Sequence, residues 1–116
     1  MELLCKIREL QRSVMQFEVA FEARYGVSLN GGMVLCSLSK VECLTSGEIS
    51  SKLGITNSNA SKVIATIEKL GYIKRNIGTV DKRKMCFQLT ERGAELLRRI
   101  NNDEIDIPEH IIRILK

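Results

Sequence analysis

The sequence has little of what metal sites and membrane segments need. It contains one histidine, and its four cysteines include no CxxC pair, so we expect no metal site. No apolar run approaches the roughly 18 residues of a membrane helix, and charged residues interrupt the segment where a signal peptide would be uniformly apolar. A single proline and the absence of low-complexity tracts argue against a disordered tail. The composition predicts a cytoplasmic globular protein with no membrane partner.

The groupings typical of enzyme active sites are also missing. The sequence has no clustered carboxylates beside its one histidine and no glycine loop of the kind that cradles phosphates. We therefore expect no enzymatic activity and no cofactor. With 116 residues the chain has room for one modest core, so residues 1–116 are predicted to form a single domain.

The four cysteines are expected to behave as small buried hydrophobic residues. In a cytoplasmic protein a cysteine is ordinarily reduced, and free cysteine is among the most buried residue types. We therefore predict no disulfide. The cysteines are Cys5, Cys36, Cys43 and Cys86.

Positive charge is concentrated in one part of the chain. The net charge is only +4, but between residues 57 and 92 eight cations stand against three anions. Such a concentration is typical of a surface that meets a polyanion, and a solvated charged face is the alternative interpretation. The cations are Lys62, Lys69, Lys74, Arg75, Lys82, Arg83, Lys84 and Arg92.

Apolar residues recur every three or four positions through the first 25 residues, the spacing of a heptad seam. This pattern predicts one long helix ended by Gly26. A second apolar strip, which includes Met15 and Val19, indicates that the helix contacts both its own domain and a partner. Packing wholly within its own domain is the alternative. The seam consists of Leu3, Ile7, Leu10, Val14, Phe17 and Phe21.

Two helices are predicted after the first. Asn30 is expected to cap a buried helix over residues 33–38. Thr45 and Glu48 have the spacing of a capping box, which predicts a helix over residues 46–53.

The run TNSNASKVIATIEKLG follows a glycine turn and has one apolar face and one small-polar, basic face. Ala60, Val63, Ile64, Ile67 and Leu70 form the apolar face. A short helix, a glycine turn and a second helix of this kind are typical of a helix-turn-helix, and a plain helical hairpin is the alternative.

A β-hairpin is predicted next. Residues 72–77 and 85–89 alternate between apolar and polar, and the cationic residues 78–84 lie between them. A cationic hairpin tip after a helix-turn-helix indicates a winged helix, whose tip approaches phosphates or a minor groove. Thr90 is expected to cap a further helix, and a last short helix begins near Pro108.

Three segments, LTSGEISSKLG, NASKVIATIEKLGYIKR and DKRKMCFQLTERG, resemble the winged-helix core of the MarR-type transcription regulators. The resemblance covers roughly residues 29–100, and its most specific part is D-x-R followed by a strand and L-T-E-x-G. It implies a mainly α fold with a small β-hairpin wing and dimerisation helices at both termini. The parts are an N-terminal dimerisation helix (1–28), the winged helix-turn-helix (29–92) and C-terminal helices (93–116).

The resemblance also implies a homodimer that binds a palindromic operator in double-stranded DNA as a repressor. Family members are usually about thirty residues longer at the C-terminus, so the dimer here is expected to depend more on the N-terminal seam. The implied dimerisation residues are Leu3, Ile7, Leu10, Val14, Phe17, Ile111, Ile114 and Leu115.

Two sets of DNA-binding residues follow from the same resemblance. The wing arginine, Arg83, is implied to enter the minor groove, while Asp81 orients its basic neighbours. Asparagine amides suit adenine edges and lysine suits guanine or phosphate, which agrees with the assignment. The recognition-helix set is Asn57, Ser58, Asn59, Ser61, Lys62 and Thr66, and the wing and backbone set is Lys74, Arg75, Asp81, Lys82, Arg83 and Lys84.

Three alternatives remain open. Winged helices also serve as protein-interaction modules. One branch of the family senses peroxides through a cysteine in its first helix, and Cys5 lies beside the cations Lys6 and Arg8. A small-molecule effector, such as an aromatic ligand, is the third, although the sequence identifies none.

Overall fold

The computed structural model describes residues 2–77, 85–103, 105, 107 and 109–115. Helices and a two-stranded antiparallel sheet follow one another as the winged-helix prediction requires, so the predicted fold class is confirmed. In this part of the chain no helix has both the length and the apolar character needed to cross a membrane. The elements are α1 (Glu2–Tyr25), α2 (Leu29–Ser39), α3 (Ser46–Leu53), α4 (Asn57–Lys69), β1 (Ile73–Ile77), β2 (Met85–Leu89), α5 (Glu91–Asn102) and α6 (Glu109–Leu115).

Local sequence signals fix both ends of α3. The Thr45 hydroxyl accepts a hydrogen bond from the Glu48 N–H at 3.1 Å, and the Glu48 carboxylate accepts one from the Thr45 N–H at 3.0 Å. This is the predicted capping box. Gly54 then takes a left-handed conformation with φ of 68°, which ends the helix. Thr56 caps α4, so the turn between the two helices is short.

The predicted start of α2 is wrong. Ser28, not Asn30, is the N-cap, and its hydroxyl accepts a hydrogen bond from the Gly31 N–H at 3.1 Å. Gly26, with φ of 74°, ends α1 as predicted and reverses the chain early enough for Ser28 to begin the next helix.

The core lies where α2 meets α3, α4, α5 and β2. Leu35 of α2, Ile49 of α3 and Ile67 of α4 are fully buried at its centre. Met33 and Cys36, predicted to be buried, are exposed because they lie on the outer side of α2. Leu70, assigned to the apolar face of α4, follows the last residue of that helix and is 40% exposed. The other members of the core are Phe21, Tyr25, Val27, Val34, Leu38, Leu44, Ala60, Ile64, Ile73, Phe87, Leu96 and Leu97.

The prediction of four reduced, buried cysteines is wrong. Cys43 and Cys86 form a disulfide, while Cys5 and Cys36 are exposed free thiols. The pairing depends on tertiary structure, since Leu44 forms a β-bridge with Phe87 and so places the two preceding cysteines with their Cα atoms 5.6 Å apart. Forty-three positions separate them in sequence, so no local spacing indicates the bond.

Tyr25 joins the end of α1 to the end of α5. Its hydroxyl donates a hydrogen bond to Asp103 at 2.9 Å, and Asp103 also pairs with Arg24 at 3.2 Å. The guanidinium groups of Arg24 and Arg99 lie 5.5 and 5.1 Å from the centre of the tyrosine ring. Burial raises the pKa of the Tyr25 hydroxyl, and the hydrogen bond to Asp103 raises it further.

We expect Tyr25 to contribute to the loss of stability at alkaline pH. Because its pKa is higher in the folded state, its contribution is intact below the ordinary tyrosine pKa of 10.0 and is lost as the pH rises through the folded value. Tyr25→Phe removes this contribution, so the free energy of unfolding should fall less between about pH 9 and pH 11 than in the wild type. Urea unfolding at both pH values measures the decrease in the free energy of unfolding for each protein. Equal decreases in the wild type and the variant would show that Tyr25 does not make this contribution.

Candidate nucleic-acid interface

The outward face of α4 gathers most of the predicted recognition residues. Its opposite face is buried through Ala60, Ile64 and Ile67, which fixes the rotation of the helix against the core. The polar residues are therefore held together on the solvent side of the helix, most of them in its N-terminal half. Ser58, Asn59, Ser61, Lys62 and Thr66 are all exposed.

Asn57 has a contact that sequence reasoning missed. Its side-chain oxygen lies 2.7 Å from the hydroxyl of the buried Ser50 in α3, which donates the hydrogen bond. The same hydroxyl lies 3.0 Å from the Gly47 carbonyl oxygen. Asn57 therefore links the two helices of the helix-turn-helix at their junction.

Thr66 is partly engaged by its own helix. Its hydroxyl donates to the Lys62 carbonyl at 3.0 Å, so the hydroxyl oxygen faces solvent as an acceptor. Lys62 and Thr66 also line a groove of about 210 Å³ together with Glu22 and Ser28. The two residues thus lie on the side of α4 that faces the junction of α1 and α2.

The wing follows α4 directly. Strands β1 and β2 pair antiparallel in a register that places Ile73 opposite Leu89 and Ile77 opposite Met85. Lys74 is exposed on β1. The predicted tip residues lie outside the described part of the chain: Asp81, Lys82, Arg83 and Lys84.

Arg75 is held against the domain. Its Nε donates to the Glu68 carboxylate at 2.7 Å, and its guanidinium lies 3.4 Å from the Met85 sulfur and 5.6 Å from the centre of the Phe87 ring. The hydrogen bond to Glu68 and its negative charge raise the pKa of Arg75. Arg75 therefore ties β1 to the last turns of α4, and its charge is partly neutralised. No local sequence pattern indicates the contact between Glu68 and Arg75, because Glu68 lies in α4 and Arg75 in β1.

Comparison with protein families matches residues 33–102 to the winged helix DNA-binding domain. Among curated proteins, the HTH-type transcriptional regulator PapX of Escherichia coli is 35% identical over 103 residues, which are 86% of this chain and 60% of PapX. The chain therefore spans less than two thirds of the length of that relative.

Solved structures show the same fold. A MarR/EmrR family transcriptional regulator from Acinetobacter sp. ADP1 superposes with a TM-score of 0.73 at 24% identity, covering 87% of this chain and 72% of that chain. The S. aureus MepR–DNA complex superposes with a TM-score of 0.64 at 21% identity, covering 87% of this chain and 81% of that chain. At these identities the likeness concerns the fold alone.

Proposed function

We propose that this chain, which belongs to the winged helix DNA-binding domain family and has the MarR-type fold, regulates transcription by binding double-stranded DNA. The observation that carries the proposal is the face of α4, where core packing holds Ser58, Asn59, Ser61 and Lys62 outward together. Small polar and cationic side chains at the exposed start of a helix suit the edges of bases in a major groove.

The proposed contacts divide into those that specify sequence and those that position the protein. In the major groove, Asn59 would hydrogen-bond a base edge and Lys62 a guanine or a phosphate. From the wing, Arg83 would enter the minor groove, where negative potential is concentrated, with Asp81 orienting its neighbours. Lys74, Lys82 and Lys84 would contact phosphates, which fixes the register without reading the sequence.

A second copy of the chain is part of the proposal. The first half of α1 projects its apolar residues into solvent: Leu3 is 71% exposed and Ile7 is 47% exposed, while Met15 and Val19 on the second strip are 63% and 71% exposed. The molecule is elongated, 56 × 30 × 24 Å, as expected when a helix extends beyond its own lobe. Several exposed apolar side chains on one helix are typical of a protein interface.

The C-terminal helix lies beside the same surface. Helix α6 packs against α1, where Ile111 is half-buried and Ile114 is 65% exposed. The side chain of Leu115, also predicted to dimerise, is outside the described residues. Leu10, Val14 and Phe17 are half-buried within one chain, so we assign the dimer contacts chiefly to Leu3, Ile7 and Ile114.

Disrupting this surface should produce a monomer. We expect Leu3→Asp with Ile7→Asp to convert a dimer into a species of the chain mass of 13.1 kDa, because each copy would bury two charges at the interface. The control is Val41→Asp, which adds a charge at a residue that is 40% exposed elsewhere. Light scattering measures the mass, and a dimeric double variant or a monomeric wild type would refute the assignment.

The symmetry of such a dimer determines its operator. Two copies related by a twofold axis present identical helices in opposite directions, so the site they read is palindromic. A dimer seated on a promoter excludes other proteins from the DNA, which favours repression.

Salt dependence tests the DNA-binding proposal. If cations on α4 and the wing displace counterions from phosphates, log affinity for a mixed-sequence duplex should fall linearly with log salt, with a slope steeper than about −4 for a dimer. Fluorescence anisotropy between about 50 and 200 mM salt measures the slope. A flat response, or no retention of duplex at the lowest salt, would show that the basic surface has another role.

A further inference from the structure

The disulfide joins the two parts of the candidate interface. Cys86 is the second residue of β2 and therefore lies at the end of the wing nearest the tip. Cys43 precedes the start of α3 at Ser46 by three positions. The bond therefore fastens the wing to the segment that leads into the first helix of the helix-turn-helix, although the two cysteines are 43 positions apart in sequence.

The backbone around the bond forms a scaffold of its own. Leu44 and Phe87 exchange two hydrogen bonds, at 3.1 Å from the Leu44 N–H and at 2.7 Å from the Phe87 N–H, and both residues are buried. Strand β2 is therefore paired with β1 on one edge and with Leu44 on the other. These contacts do not need the disulfide, so the two cysteines should remain adjacent when the bond is broken. Both cysteines are only half-buried, so the pair is not enclosed by the core.

We propose that Cys43 and Cys86 form a reversible thiol–disulfide site, and that the closed bond tightens DNA binding by holding the wing at a fixed angle to α4. This inference rests on the proposed function. If two parts of a binding surface already have a fixed relative position, binding costs less conformational entropy, and the affinity of the complex is higher. Breaking the bond leaves the Leu44–Phe87 pairing in place, but the part of β2 beyond Phe87, toward the tip, loses its covalent link to the segment before α3.

The chemistry requires a partner disulfide of low molecular weight, such as glutathione disulfide. The thiolate of one cysteine attacks a sulfur of the small disulfide, which forms a mixed disulfide and releases one small thiolate. The thiolate of the second cysteine then attacks the protein sulfur and releases the other. The two protein thiols lose two electrons and two protons, and the small disulfide gains them as two thiols. Excess small thiol drives the same steps in reverse.

The test uses the full chain with Cys5→Ser and Cys36→Ser, because both of these thiols are exposed and would otherwise react. The protein is equilibrated in mixtures of reduced glutathione and glutathione disulfide, and free thiols are counted by alkylation and mass spectrometry. Affinity for a mixed-sequence duplex pool is measured in the fully oxidised and fully reduced states. We expect two thiols to appear together on reduction and duplex affinity to fall about three- to tenfold.

The matched control adds Cys43→Ser and Cys86→Ser. This variant should bind duplex with the affinity of the reduced protein, and its affinity should not respond to the glutathione mixture. The inference is overturned if the pair stays reduced in glutathione disulfide, if it resists excess glutathione, or if both states bind duplex equally. Equal and tight binding would leave the proposed function intact. Failure of both states to bind any duplex would overturn the proposed function together with the switch.

Discussion

Lys62→Glu is expected to weaken duplex binding by about a hundred- to thousandfold. Lys62 is exposed on α4, so the variant replaces an attraction to the DNA by a repulsion within the proposed contact. In a dimer the change occurs twice on each duplex. The fold should be unaffected, because the residue contributes nothing to the core.

Arg98→Glu is the matched control for charge. Arg98 is exposed on α5, outside the proposed interface, and its replacement changes the net charge by the same amount. We expect this variant to lose much less affinity, since charges farther than a Debye length of about 8 Å from the DNA are largely screened at physiological salt. Equal losses in the two variants would mean that net charge, and not the face of α4, governs binding.

Gly93→Ala is expected to lower the free energy of unfolding by about 3 kcal/mol or more. Gly93 is buried at the start of α5, and a Cβ there would overlap the carbonyl oxygen of Tyr72 and lie 2.8 Å from the Leu89 side chain. That carbonyl accepts a hydrogen bond from the Thr90 N–H at 3.1 Å, so neither backbone segment can move without loss of a contact. This steric overlap explains why the last position of the L-T-E-x-G segment is a glycine. Urea unfolding measures the loss.

Gly47→Ala is the control for the glycine prediction. Gly47 is exposed in α3, and the nearest atom to a Cβ there is the Thr45 hydroxyl at 4.0 Å. Alanine is the better helix former by about 1 kcal/mol, so this variant should be as stable as the wild type or more stable. A Gly93→Ala protein as stable as Gly47→Ala would show that α5 packs less closely on Tyr72.

Sequence reasoning succeeded where the structure depends on neighbouring residues. The capping box of Thr45 and Glu48, the left-handed Gly54 and the helical periodicity of residues 57–69 each involve residues within about one or two turns, and each was predicted. The start of α2 shows the limit of such signals. Ser28 and Asn30 can both cap a helix, and the position of the preceding turn places Ser28 at the N-cap.

The errors and omissions concern contacts between different segments of the fold. The Cys43–Cys86 bond follows from the pairing of Leu44 with Phe87, which no local pattern predicts. Arg75 belongs to the predicted wing and backbone set, but Glu68 and the Phe87 ring hold it against the domain. Composition identifies a cationic surface, whereas only the packing of elements shows which cations are engaged within the chain.

Selection of bound duplexes from a random pool tests the central claim most directly, because it reports the number of recognition helices and the distance between them. If two copies of the chain present α4 to DNA, the selected sequences should contain an inverted repeat whose half-site centres are about 10–10.5 base pairs apart. The contrary result would be enrichment of a single half-site, or no enrichment at any salt concentration.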